Sequence, residues 1–143
     1  MEIRVRIASF DDVKGIVEIY CFSVSMWTRY INGREVKARY EDLTVAERWS
    51  RGGPWMSVET RAVHLNCLLV NNQYPLVAEL NGRVVGELEL YIGKEKGSLG
   101  KCGFINVLEV HRDYRRRGVG RVLVSKAIEV AMEHGCDTVA VWR

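Results

Sequence analysis

Residues 108–121, Leu-Glu-Val-His-Arg-Asp-Tyr-Arg-Arg-Arg-Gly-Val-Gly-Arg, constrain this chain more than any other segment. An apolar strand runs into a basic turn, and two glycines then open an amphipathic helix that continues to residue 134. Val119, Leu123, Ala127, Val130 and Ala131 recur along one stripe of that helix. His134 suits its negative end, and Gly135 suits the position just past it. The first N–H groups of a helix have no partner within it, and the macrodipole places positive charge there. Gly118 and Gly120 let an anionic ligand approach that backbone closely. Arg115, Arg116, Arg117 and Arg121 add charge and bidentate geometry for phosphate. The segment therefore reads as a pyrophosphate cradle. Two common phosphate motifs do not fit it. A Rossmann fingerprint needs a third glycine where this chain has Leu123, and the P-loop pattern is absent.

The rest of the composition narrows the setting. A chain of 143 residues suits one domain, spanning residues 1–143. With 48% hydrophobic residues, 27% charged residues and only two prolines, it is globular rather than disordered. No apolar run approaches the ~20 residues that span a bilayer. The N-terminus alternates charged and aliphatic residues, unlike a signal peptide, so the expected compartment is cytoplasmic. The net charge of +3 does not imply nucleic acid, and the arginine cluster is short, so neither a nucleic-acid nor a membrane partner is expected. Cys21, Cys67, Cys102 and Cys136 are widely spaced, as are His64, His111 and His134. No zinc-ligand spacing exists, and no metal site is expected.

Residues 3–8 alternate as a strand, and Ser9 with Asp12 opens a helix whose inward face carries Val13, Ile16, Val17 and Tyr20. Asn32-Gly33 is a turn signal, and Thr44 with Glu47 forms a capping box that starts a short helix. Trp27, Trp49 and Trp55, with Tyr30 and Tyr40, form either a satellite core or the lining of an acceptor pocket. A helix over residues 56–70 turns Ala62, Leu65, Leu68 and Leu69 inward. Strands follow over 76–80 and 83–92, joined by Asn81-Gly82, the dipeptide of a type I′ turn. In the second strand Val84, Leu88, Leu90 and Ile92 share one face, and Glu87 and Glu89 share the other. A loop over 93–100 leads to a central strand over 102–110. The last strand covers 138–142.

The six residues Arg115-Arg116-Arg117-Gly118-Val119-Gly120 match the pattern [Q/R]-x-x-G-x-[G/A]. With Leu108-x-Val110, Tyr114, Val122-Leu123 and the Ile3-Arg4…Asp11-Asp12 opening, the chain resembles the GNAT superfamily of acetyl-CoA-dependent N-acetyltransferases. The resemblance covers residues 3–8 and roughly 76–143. It implies an α/β (α+β) fold with a mixed central sheet flanked by helices. It implies acetyl-CoA as co-substrate, with its pyrophosphate on backbone N–H groups from Arg116 to Arg121 and Arg115 in the motif's first position. The backbone of Leu108 and Val110 would pair with the pantetheine arm, and a splay between that strand and the last would admit the thioester. Family members usually continue with a further helix and strands, and that helix often supplies a tyrosine acid. The expectation is accordingly a domain lacking its C-terminal part, a fragment of a longer protein. Homodimerisation is compatible with the unfinished sheet.

An amine that attacks a thioester must first be neutral, yet primary amines are largely protonated near neutral pH. Glu109, Glu87 and Glu89 are the candidate bases, with Glu109 the first choice because it sits on the strand expected to hold the thioester. Each is otherwise a solvated strand carboxylate. Asn106 could place a water. A backbone N–H of Val110 or Glu109 would face the carbonyl oxygen as it gains charge. The expected function is acetyl transfer from acetyl-CoA to a primary amine by direct attack in a ternary complex. The other reading is a non-catalytic acyl-CoA-binding regulatory module.

Overall fold

The computed structural model describes residues 2–21, 27–50, 57–94 and 100–141. Strand β1 (Ile3–Ile7) leads through a 3-10 turn (Phe10–Asp12) into α1 (Val13–Cys21). Asp12 accepts from the Ser9 N–H at 2.8 Å and receives both terminal nitrogens of Arg6, tying the helix start to β1. The hairpin β2 (Trp27–Ile31) and β3 (Arg34–Ala38) forms a separate two-stranded sheet, turned by Asn32 and Gly33 at positive φ. Helix α2 (Val45–Ser50) follows, and its start carries the capping box in both directions. Glu47 N–H donates to Thr44 Oγ1 at 3.1 Å, and Thr44 N–H donates to Glu47 Oε1 at 3.0 Å. Helix α3 (Val58–Val70), β4 (Tyr74–Leu80), β5 (Arg83–Lys94), β6 (Lys101–Val110), α4 (Val119–Glu133) and β7 (Cys136–Val141) complete the chain.

The main sheet runs β1-β4-β5-β6-β7, antiparallel except for the parallel β6–β7 pair. It is a mixed sheet flanked by helices. Helix α4 packs on one face of the sheet, while α1 packs on β5 and α3 on β4. Two buried clusters separate in the same way. One holds Leu76, Leu88, Leu90 and Ile105 with all five stripe residues of α4. The other holds Val13, Ile16, Ile19 and Tyr20 of α1, Leu65 of α3 and Val77 of β4.

Two β-bulges decide which side chains reach which face. On β5, Ala78 pairs with Gly86 and Glu79 with Val84, which leaves Val85 as the extra residue. Val85 lies in the cluster under α4 with Leu88 and Leu90, whereas Val84 packs toward α1. The expectation of Val84, Leu88, Leu90 and Ile92 on one face is therefore corrected at Val84. Strict alternation holds only for a strand without an inserted residue. On β6, Glu89 pairs with Val107 and Leu90 with Ile105, so Asn106 is the extra residue. Ile105 faces α4 and Val107 faces α1 and α3.

Other boundaries shift by a few residues. The 56–70 helix begins at Val58, the 76–80 strand at Tyr74, β5 extends to Lys94 into the expected loop, and β6 begins at Lys101, one residue before the expected start. Trp27 packs against Tyr40 with ring centroids 5.3 Å apart and the planes tilted by 51°, while Tyr30 is exposed. Trp55 and the Trp49 side chain lie outside the described residues. Among the described cysteines Cys102 and Cys136 are buried and Cys67 is exposed, all as free thiols. No helix among the described residues is long and apolar enough to cross a membrane.

Candidate active site

Strand β6, the basic turn and the start of α4 bring nearly all the sequence-expected residues to one end of the sheet. Helix α4 starts at Val119 with Gly118 as its N-cap, at φ +82° and without a capping side chain. Arg116 also has positive φ, so the turn bends tightly just before the helix. A β-carbon added at Gly120 would meet only Val110 Cγ2, at 3.9 Å. Internal packing leaves room for a side chain there. Gly86 differs: its β-carbon would lie 2.9 Å from Val119 Cγ1 and 3.0 Å from Leu123 Cδ1. Gly86 lets α4 sit close on β5, and Gly120 leaves the helix N-terminus open outward.

The arginines divide into two kinds. Arg116, Arg117 and Arg121 are exposed around the helix start. Arg115 is engaged: it pairs with Glu109 at 2.8 Å, and its Nε donates to the Val110 carbonyl at 3.1 Å. Arg117 and Arg83 both approach the Tyr114 ring, at 5.3 and 5.5 Å, and Arg83 pairs with Glu18 of α1 at 2.6 Å. Buried His111 accepts the Asp113 N–H on Nδ1 at 3.1 Å, which fixes the start of the turn.

Strand β6 has two neighbours, β5 along most of its length and β7 along its first half. Pairing with β7 runs from Lys101↔Cys136 to Ile105↔Val141, and among the described residues 107–110 pair on the β5 side alone. The His111 N–H donates to Val85 of β5 at 2.8 Å, so alternation along a strand points Val110 and Leu108 the other way. Their N–H and C=O groups lie on the edge that β7 leaves, as the Arg115 bond to the Val110 carbonyl shows. The Glu109 N–H turns toward β5, so of the two expected donors the Val110 N–H is the one on the edge away from β5.

On the face away from α4, the strand carboxylates are mostly buried. Glu87 and Glu89 are each 1% exposed, which corrects the solvated reading of both. The reason is Arg61 of α3, itself fully buried, whose guanidinium bonds Glu87 with one terminal nitrogen and Glu89 with the other. Tyr20 of α1 donates its hydroxyl to Glu87. Glu89 Oε1 meets His64 Nε2 at 2.8 Å and accepts the Tyr91 hydroxyl at 2.7 Å. The Asn106 side chain in turn bonds Tyr91. Arg61 Nε is buried without a partner. Burial, reinforced by the neighbouring Glu89, pushes the Glu87 carboxyl up to about 7 against the pull of Arg61 and Tyr20. Glu89 is buried too, yet His64, Arg61 and Tyr91 hold it below the ordinary carboxylate range. Glu109, opposite Glu87 in the register, keeps its side chain 29% exposed.

Periodicity alone does not single out Arg61, Tyr91 or the polar role of Tyr20. One signal for Arg61 exists. It stands four residues before Leu65 and seven before Leu68, on the stripe that α3 buries.

A mixed sheet with one parallel pair, flanked by helices and followed at the end of β6 by a glycine-containing helix start without a capping side chain, defines an α/β domain. Comparison with known proteins gives the family. The sequence profile of the Acetyltransferase (GNAT) family matches residues 36–143, and the chain belongs to that family. An acetyltransferase of Pectobacterium atrosepticum is 30% identical over 101 residues, which cover 68% of this chain and 63% of that protein. A GNAT family acetyltransferase from Staphylococcus aureus shares the fold with a TM-score of 0.69 at 14% identity, over 100% of this chain and 87% of its own. A transcriptional regulator from Bacillus halodurans superposes with a TM-score of 0.68 at 20% identity, over 99% and 82% of the two chains.

Proposed function

We propose that this chain transfers an acetyl group from acetyl-CoA to a primary amine by direct attack within a ternary complex, as one GNAT domain over residues 1–143. The observation that carries the reading is Gly120. The fold has space for a side chain at this position, at the mouth of an uncapped helix N-terminus ringed by Arg116, Arg117 and Arg121. A residue kept bare without an internal reason fits the approach of an external ligand to the backbone.

Bound there, acetyl-CoA supplies an acetyl group activated as a thioester. N–H groups from Arg116 to Arg121, including those of Arg117, Gly118 and Val119, take the pyrophosphate. The free edges of Leu108 and Val110 hold the pantetheine arm. The Val110 N–H receives the carbonyl oxygen as it gains charge. With the cofactor on the α4 side of the splay, the acceptor comes from the opposite face, where Glu109 and Asn106 lie. Partly exposed Glu109 meets the incoming ammonium, and Asn106 at the bulge orients it or a water beside it. Arg115 fixes Glu109 and the end of β6 to the phosphate turn. The partners are thus acetyl-CoA and an amine, in the cytoplasm.

Calorimetry of acetyl-CoA with the chain and with Gly120→Glu tests the reading. The variant places a carboxylate where the pyrophosphate would lie, in a position with room for it, so it should fold normally and lose binding at least tenfold. Equal binding by both proteins would sink the cradle. Binding without transfer to any of a panel of primary amines would turn the assignment to a regulatory acyl-CoA-binding module.

A further inference from the structure

The buried charges on the acceptor face exceed what holding a helix on a sheet requires. Glu87 and Glu89 stand on one strand and Arg61 bridges them, so a carboxylate pair shares one cation in a fully enclosed place. Such a cluster is costly to bury, and apolar residues of the same size would hold α3 as well or better. The two carboxylates are also unequal. Glu89 has three partners, Arg61, His64 and Tyr91, all of which favour its charged form. Glu87 has Arg61 and the Tyr20 hydroxyl. Facing Glu87 are Tyr20 from α1, Arg61 and His64 from α3, Glu89 beside it on β5, and Glu109 directly across on β6. Tyr20 lies in the last turn of α1, and its ring is enclosed while its oxygen is turned to Glu87.

Resting on the acetyl-transfer reading above, we propose that Glu87, reached through the Tyr20 hydroxyl, stores the proton that the acceptor amine loses. The amine nitrogen gives its proton to the Tyr20 oxygen as the Tyr20 proton passes to Glu87 Oε1. One N–H and one O–H bond break and two O–H bonds form. Tyr20 is unchanged, Glu87 becomes neutral, and the amine is freed to attack. When the thioester C–S bond breaks, the stored proton returns by the same path to the sulfur of coenzyme A, and a second N–H bond of the new amide breaks with its proton passing to solvent water, so the net reaction releases one proton and leaves the enzyme unchanged. Glu89, held as a carboxylate, keeps Arg61 in place while Glu87 changes state. A group whose ordinary value has been raised to about 7 exchanges its proton at neutral pH, as a proton store must. Glu109 then meets the acceptor's charge, and Glu87 takes the proton.

The test combines acetyl-CoA binding with pH profiles of kcat and KM for transfer to a primary amine, in the intact chain and in Tyr20→Phe, Glu87→Gln and His64→Gln. Tyr20→Phe removes a single oxygen. It should lower kcat at least tenfold with KM little changed, and move the acid limb upward, because the Glu87 carboxylate loses a donor. Glu87→Gln should lose that limb. His64→Gln should keep it, displaced upward. Carbon-13 NMR of labelled glutamate should show one side chain titrating near neutrality, absent in Glu87→Gln. Turnover whose acid limb survives in Glu87→Gln would overturn the proton store alone. A limb lost in His64→Gln would assign it to the histidine instead. A chain that does not bind acetyl-CoA, or binds it and never transfers, would overturn the acetyl-transfer reading and the proton store with it.

Discussion

Arg61 reaches Glu87 and Glu89 from a position that helix periodicity assigns to an apolar side chain, and this one residue changes what both glutamates can do. Alternation along β5 places the two carboxylates on one face correctly, but it cannot tell whether that face is wet. The answer depends on a cation delivered from α3, far away in sequence, and on Tyr20, His64 and Tyr91 closing around it. Burial of this kind leaves a mark on stability against pH. In the folded chain Glu87 is raised from 4.5 to about 7, so between those values the native state holds a proton that the unfolded chain lacks. Its contribution is fully present below the unfolded value and is lost as pH rises through the folded one. Glu89 acts with the opposite sign at lower pH, since its folded value lies below the unfolded one. Urea unfolding across the interval from about 4.5 to about 7 should therefore show a falling contribution that Glu87→Gln abolishes. An unchanged slope in the variant would mean that Glu87 is ionised throughout the interval.

Among the elements, those governed by local chemistry are legible in the sequence, and those governed by cross-strand register are not. The stripe of α4, the capping box of α2, the Asn81-Gly82 turn and the His134-Gly135 end depend on neighbours within a few residues, and all are found in place. The same holds for the glycine turn and helix start at residues 118–120, which form a local pattern. The bulges at Val85 and Asn106 depend on how many residues the partner strand offers, so no window of β5 or β6 alone contains them. The bulge on β5 has a consequence at the site: it turns Gly86 to the underside of α4 and so sets the height of the helix. Gly86→Ala would push a β-carbon to within 2.9 Å of Val119 Cγ1 and 3.0 Å of Leu123 Cδ1. Relief requires α4 to shift, at a cost of about 1–3 kcal/mol. The expected outcome is a lower Tm together with weaker acetyl-CoA binding, although Gly86 touches no ligand in the proposed complex. A Tm loss with binding intact would show that the cradle does not follow the seat of α4.

At the scale of the whole molecule, positive charge is unevenly spread. The net charge is only +3, yet Arg112, Arg115, Arg116, Arg117 and Arg121 crowd one end of the sheet. An exposed group of this kind attracts a polyanion over a distance that salt controls, about 10 Å at 0.1 M and about 3 Å at 1 M. Acetyl-CoA affinity should weaken several-fold between those salt concentrations, while a pantetheine analogue without phosphates should bind independently of salt. Equal salt responses for the two ligands would place the phosphates away from the arginines. The bareness of Gly120 has a further implication at this scale. Because no neighbour needs that position to be empty, the proposed cradle makes folding and ligand capture separate demands on one residue. A mutation there would yield a protein that is made, folds and persists in the cell at normal abundance while doing nothing, so screens that score protein levels would pass it as healthy.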